Sequence, residues 1–81
     1  MHPNLEHCLR LLINKRGASK SVCPSEVARA IDPVDWRDHM DDIRQLAAEM
    51  SVAGELVVTQ RGQVVDPLSA KGPIRLRLPS E

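Results

Sequence analysis

The spacing of apolar residues predicts an α+β domain, and three observations carry that expectation. As far as Ala53, apolar side chains recur every three or four positions in separate stretches, the spacing of half-buried helices. From Leu56 the alphabet turns β-rich, and Ile74-Arg75-Leu76-Arg77-Leu78 alternates apolar and basic residues without a break. Proline and glycine fall between these stretches rather than inside them.

Residues 3–15 place Leu5, Cys8, Leu9, Leu12 and Ile13 on one helical face and Glu6, Arg10 and Asn14 on the other. Pro3 suits the first turn, and Gly17 after Lys15-Arg16 suits the stop. Ser19 to Cys23 is a connector with room for a very short strand. Pro24 then holds Cys23 extended and fits the first position of a second helix. Glu26 falls where its carboxylate can reach back to the Cys23 amide, as in a capping box. Val27, Ala28 and Ile31 give this helix its apolar face, and it ends before Pro33.

Asp32-Pro33-Val34-Asp35 is a further start signal, introducing a short turn that holds Trp36. Asp38 and Asp41 repeat the cap-and-acid spacing, so the third helix is expected to start near Asp38. Met40, Ile43, Leu46, Ala47, Met50 and Ala53 form its expected buried stripe, and Gly54 ends it in left-handed geometry. Leu56 to Gln60 reads as a strand, Arg61-Gly62 as a turn, and Asp66-Pro67 and Gly72-Pro73 punctuate a longer loop. The strand at 74–78 is expected to pair with the first as an antiparallel hairpin with a long tip. Helix, possible short strand, helix, helix, strand, loop, strand is the element order of a winged helix. Its second and third helices form a helix-turn-helix and its hairpin is the wing.

Composition bounds what such a domain can be. At 81 residues the chain is long enough for one domain, residues 1–81, and buries only about 60% of its unfolded surface. Trp36 is the only aromatic residue, so the sequence predicts it as the large anchor of an otherwise aliphatic core. Hydrophobic residues make up 42% and charged residues 27%, a globular balance. No aliphatic run is longer than three residues, as at Leu11-Leu12-Ile13, too short to span a membrane, and no secretory signal is expected at the start of the sequence. Two cysteines fit a reducing cytosol, so the expected location is cytoplasmic. Zero net charge argues against a strongly basic nucleic-acid binder or a polybasic membrane protein as a description of the whole chain. The charge is nevertheless segregated, +3 over residues 1–31, −5 over 32–55 and +2 over 56–81.

Five motifs in order carry a resemblance. They are Cys-Pro-Ser-Glu-Val-Ala-Arg-Ala at 23–30, Asp35-Trp36-Arg37, Gln60-Arg61-Gly62, Val65-Asp66-Pro67 and Lys71-Gly72-Pro73-Ile74-Arg75. Over nearly the whole chain they resemble a bacterial family of short proteins known only as a domain of unknown function. That family is grouped with winged-helix-like domains, which implies the same architecture. The resemblance brings no catalytic or ligand residues with it.

Chemistry is sparse. The soft metal ligands are His2, His7, Cys8, Cys23 and His39, and no C-x-x-C or H-x-x-x-H spacing joins them, so no metal or other cofactor is expected. Gly17-Ala18-Ser19-Lys20-Ser21 lacks the glycines and the preceding strand of a phosphate-binding loop. No nucleophile is paired with a base by spacing, so the expected role is not enzymatic.

Two functions remain. For transcription-associated nucleic-acid binding, Arg44 and Gln45 on the third helix are candidate base readers, opposed by Asp41 and Asp42 at its leading end. Arg75 and Arg77 project from the solvent side of one strand, and Arg61 and Lys71 extend them into a basic stripe. The amino end of the second helix, near Ser25, offers backbone N–H groups to a phosphate of duplex DNA. The alternative is a protein-interaction module. An acidic third helix and a basic hairpin suit docking to a partner or a second copy, with Val52, Val57 and Leu68 as candidate apolar contacts.

Overall fold

The computed structural model describes residues 3–17 and 19–79; His2, one of the soft ligands named above, lies outside them. Helix α1 spans Leu5–Arg16, α2 Pro24–Ile31 and α3 Met40–Val52, with a 3₁₀ turn at Trp36–His39 leading into α3. Strands β1 (Val57–Gln60), β2 (Gln63–Val64) and β3 (Arg75–Arg77) follow as one antiparallel sheet in the order β2-β1-β3. This is a winged helix.

Each boundary has a local cause. In α1, Leu5, Leu9 and Ile13 stack at four-residue spacing and are fully or almost fully buried. Gly17, at φ 82°, lets the chain leave the helix while its N–H still reaches the Ile13 carbonyl. In α2 the Cys23 N–H donates to Glu26 Oε2 at 2.7 Å, the reach-back expected from the sequence. Arg16 adds a second tie, donating from Nη2 to Glu26 Oε1 at 2.5 Å and from Nη1 to the Ser21 carbonyl at 3.0 Å. Asp32 Oδ1 accepts the Val34 and Asp35 N–H groups, which folds the corner after α2.

The α-helical part of α3 begins at Met40, near the expected Asp38 but with His39 rather than Asp38 at the cap position. The 3₁₀ turn runs straight into it, and a backbone carbonyl already takes the Met40 N–H, one of the two that an Asp38 cap would have held. Asp38 N–H donates to Asp35 O, and Met40 N–H to Arg37 O. Two members of the expected stripe also differ. Met40 is half-buried, and Ala53 is exposed because the helix ends at Val52.

The two-strand wing of the sequence reading becomes three strands. β1 does pair with β3, in the register Val57↔Arg77, Val58↔Leu76 and Thr59↔Arg75. Gln63 and Val64, expected in the loop, return along the other edge of β1 through a two-residue turn. Arg61 at φ 54° and Gly62 at φ 78° both adopt left-handed backbone, the geometry that reverses a chain within two residues. The possible short strand before α2 is a single bridge, Val22↔Leu76, closed by hydrogen bonds of 2.7 and 2.8 Å.

The core lies between the helices and the sheet. Val22, Val27, Ala28, Ile43, Leu46, Ala47, Met50, Leu56, Val58, Ile74 and Leu76 close on the α1 residues. Trp36 is not its anchor. It is half-buried and packs against the edge of this cluster, because the 3₁₀ turn carries it to the rim between α2 and α3. Val52 and Leu68 are exposed, whereas Val57 is half-buried. Among the described residues no helix is long and apolar enough to cross a membrane.

Candidate functional site

The loop between β2 and β3 returns to the sheet through Lys71-Gly72-Pro73, and this tripeptide separates two clefts. On one side Gln60, Arg61, Lys71, Gly72, Pro73 and Arg75 line a cleft of about 430 Å³. Three exposed cations come from three places in the fold: the β1–β2 turn, the loop and β3. Among the described residues no acidic side chain lines it. On the other side is an apolar cleft of about 360 Å³ between the start of α2, the Trp36 turn and the same loop, with Arg44 on its wall.

The dividing wall is pinned from both sides. Gln60 Nε2 donates to the Lys71 carbonyl at 2.5 Å and to the Pro73 carbonyl at 3.2 Å. Arg44 reaches out of α3, donating from Nη2 to the Gly72 carbonyl at 2.7 Å. Its Nη1 donates to the carbonyls of Ala70 at 2.9 Å and Pro67 at 3.1 Å. Gly72 sits at φ 87°, the left-handed backbone that favours glycine, and the Gln60 amide lies at ordinary contact distance, 3.6 Å from where a Cβ would stand.

The candidate residues from the sequence therefore divide. Arg61, Lys71 and Arg75 are brought together in the basic cleft. Arg75 Nε donates to Ser21 Oγ at 2.7 Å and its Nη2 to the Ser21 carbonyl at 3.2 Å, which orients the guanidinium while leaving it exposed. Arg77 lies two register positions along β3 but lines neither cleft; it is half-buried, and its Nε has no hydrogen-bond partner among the described residues. Ser25 is half-buried on the wall of the apolar cleft, at the amino end of α2. Gln45 is exposed on α3 and lines neither cleft. Arg44 spends its guanidinium donors on loop carbonyls, and reading a base would require it to release them.

Sequence reasoning missed Gln60, whose partners lie 11 and 13 residues away and leave no local pattern. It also missed Trp36 as a cleft residue. The guanidinium carbons of Arg29 and Arg37 stand 4.4 and 4.3 Å from the centroid of its ring. Of these partners, the Arg37 neighbour is visible in the sequence and the Arg29 one is not.

Electrostatics around the clefts follows from these contacts. The Cys23 N–H, and then Arg16, hold the Glu26 carboxyl below the ordinary glutamate range against the opposing effect of burial, with Arg75 adding to the pull. Asp32 is likewise held low, first by the Asp35 N–H and then by His39, whose Nε2 lies 3.3 Å from Asp32 Oδ2. Burial pushes the Cys8 thiol up. Among the described residues no three His, Cys, Asp or Glu side chains come together as a metal site.

No curated protein matches the chain. A family model described as "Protein of unknown function (DUF3253)" matches residues 2–79, nearly the full length and all five motifs. By that match the chain belongs to the DUF3253 family, whose winged helix here carries a basic cleft and an apolar cleft on either side of one pinned loop.

Proposed function

We propose that this domain is a non-catalytic nucleic-acid-binding module that holds phosphates with its wing rather than by inserting α3 into a groove. The observation that carries this reading is the convergence of Arg61, Lys71 and Arg75 on one cleft whose described lining residues include no acid, with Glu26, which feels Arg75, outside that lining. Convergence matters because exposed cations scattered over a neutral protein are screened within about 8–10 Å at physiological salt, whereas three sharing a cleft act on the same phosphates.

Backbone geometry adds support. Arg61 holds a left-handed position where glycine or asparagine is the ordinary choice, so a cation stands at the turn tip despite a conformational cost. Groove insertion of α3 is disfavoured by the exposed Asp41 at its leading end and by the commitment of Arg44 to the loop. Both described cysteines are free, in keeping with a cytoplasmic setting.

The test is a titration with mixed-sequence duplex DNA at several salt concentrations. Three phosphates neutralised give a log–log slope of about −2.7, less steep than the four-cation stripe of the sequence reading would give. Replacing Arg61 and Arg75 together by alanine should bring the slope to about −1 and weaken all sequences alike. No detectable binding at low salt, or a slope unaffected by that double replacement, refutes the reading and leaves protein docking as the function to pursue.

A further inference from the structure

Resting on that phosphate-binding reading, we propose that the apolar cleft receives an unpaired nucleobase, so that the preferred ligand is single-stranded nucleic acid. The two clefts share Gly72 and Pro73 as a common wall, and their chemistries differ sharply. One presents Arg61, Lys71 and Arg75. The other presents Trp36, Met40, Pro24, Pro73 and Ile74, with Cys23 and Ser25 at the start of α2 and the loop-bound Arg44 as its polar groups.

A ligand that fills both clefts is an anion at one end and a flat apolar group at the other. A nucleotide within a single strand has that form. A duplex does not, because its bases are stacked and paired in the interior and only its phosphates and groove edges reach the protein. The apolar cleft, at about 360 Å³, is at the small end of the range for ligand sites, as suits a single base.

The surroundings of Trp36 fit the same ligand. Its ring is half-buried, and the exposed Arg29 and Arg37 stand over it. The two guanidinium groups cover the indole, so a base in the cleft meets the edge of the ring and stacks on a guanidinium plane, and the two arginines extend the positive field beyond the basic cleft. Asp35 and Asp38 flank Trp36 in sequence but line neither cleft. The pinning of the loop by Gln60 and Arg44 acquires a purpose in this arrangement, since it fixes the distance between the phosphate and base positions.

Trp36 is the only aromatic residue, so intrinsic fluorescence reports on this cleft alone. The experiment compares a twelve-nucleotide oligo-dT, an abasic strand of the same length and a matched duplex at fixed low salt, together with thymidine monophosphate. The expected result is that oligo-dT changes Trp36 emission and binds about tenfold or more tightly than the abasic strand or the duplex. The monophosphate should bind far more weakly, because it engages the cation cluster through one phosphate. Trp36→Leu should reduce oligo-dT affinity to that of the abasic strand. If that variant does not fold, the abasic comparison on the parent protein decides. Equal, salt-dependent affinity for all three oligonucleotides without a change in emission overturns the base cleft and leaves the phosphate reading standing. Failure of every probe to bind overturns both.

Discussion

Replacing Arg44 by alanine removes three hydrogen bonds from a charged donor to backbone carbonyls, at 2.7, 2.9 and 3.1 Å, and thereby frees the 67–72 loop from α3. The magnitude follows from where the acceptors sit. Pro67 is buried, Ala70 is half-buried and Gly72 is exposed. Bonds to the first two are sheltered and contribute about 1–1.5 kcal/mol each, and the exposed one about 0.5 kcal/mol, for a total of about 2.5–3.5 kcal/mol. In an 81-residue domain this corresponds to a drop in Tm of about 10–25 °C. Arg44→Lys keeps the charge but not the planar fork that serves several carbonyls at once, so it should recover only about a third of the loss. Urea unfolding followed by Trp36 fluorescence, with circular dichroism as a second probe, measures both variants. A midpoint for Arg44→Ala within about 0.5 kcal/mol of the parent refutes the clamp. Unchanged stability combined with altered sequence preference would instead return Arg44 to a base-reading role.

Four other outcomes are expected. Trp36→Ala should cost about 1.5–2.5 kcal/mol by chemical denaturation, roughly half the loss of a fully buried aromatic, because the ring sits on the rim of the core; a loss of 4 kcal/mol or more, on the order of a complete core deletion, would contradict that placement. Arg61→Asn should raise stability by up to about 1 kcal/mol, since asparagine accepts φ near 54° more readily, while weakening duplex binding through loss of a cation. Glu26 titrates below its ordinary range in the folded state, so its contribution is complete above about pH 4.3 and is lost as pH falls through the depressed folded value. The stability gap between the parent and Glu26→Gln should therefore narrow in acid, and a gap constant from pH 7 to 3 would show that the Cys23 and Arg16 contacts do not act on the carboxylate. Asp41→Asn with Asp42→Asn should strengthen nucleic-acid binding at low salt by removing repulsion of phosphate, and weakened binding would argue that α3's leading end faces a basic partner.

The elements were legible because their causes are local. Leu5, Leu9 and Ile13 announce α1 by spacing, Cys23-Pro24 and Glu26 announce the start of α2, and the alternation around Leu76 announces β3. Each depends on residues within a turn or two of one another, and so does the reversal at Arg61-Gly62. The same locality explains the errors. Asp38 has the spacing of a cap, but the 3₁₀ turn had already taken the Met40 N–H it would have served. A lone tryptophan in an aromatic-poor chain reads as a core residue, yet its position on the turn sends it to the rim.

Composition and order alone determined that this chain is an α+β winged helix with a segregated charge pattern and cations near its wing. Which of those cations act together was decided by tertiary structure. Arg61, Lys71 and Arg75 converge only because β1 pairs with β3 and the intervening loop folds back over Gln60. Arg44 has the exposure pattern of a groove reader in the sequence, and only the return of the 67–72 loop supplies the carbonyls that occupy it. Side-chain periodicity records which face of an element meets the core. It holds no record of which distant loop will bring three carbonyls to a guanidinium, because that depends on chain closure over more than twenty residues.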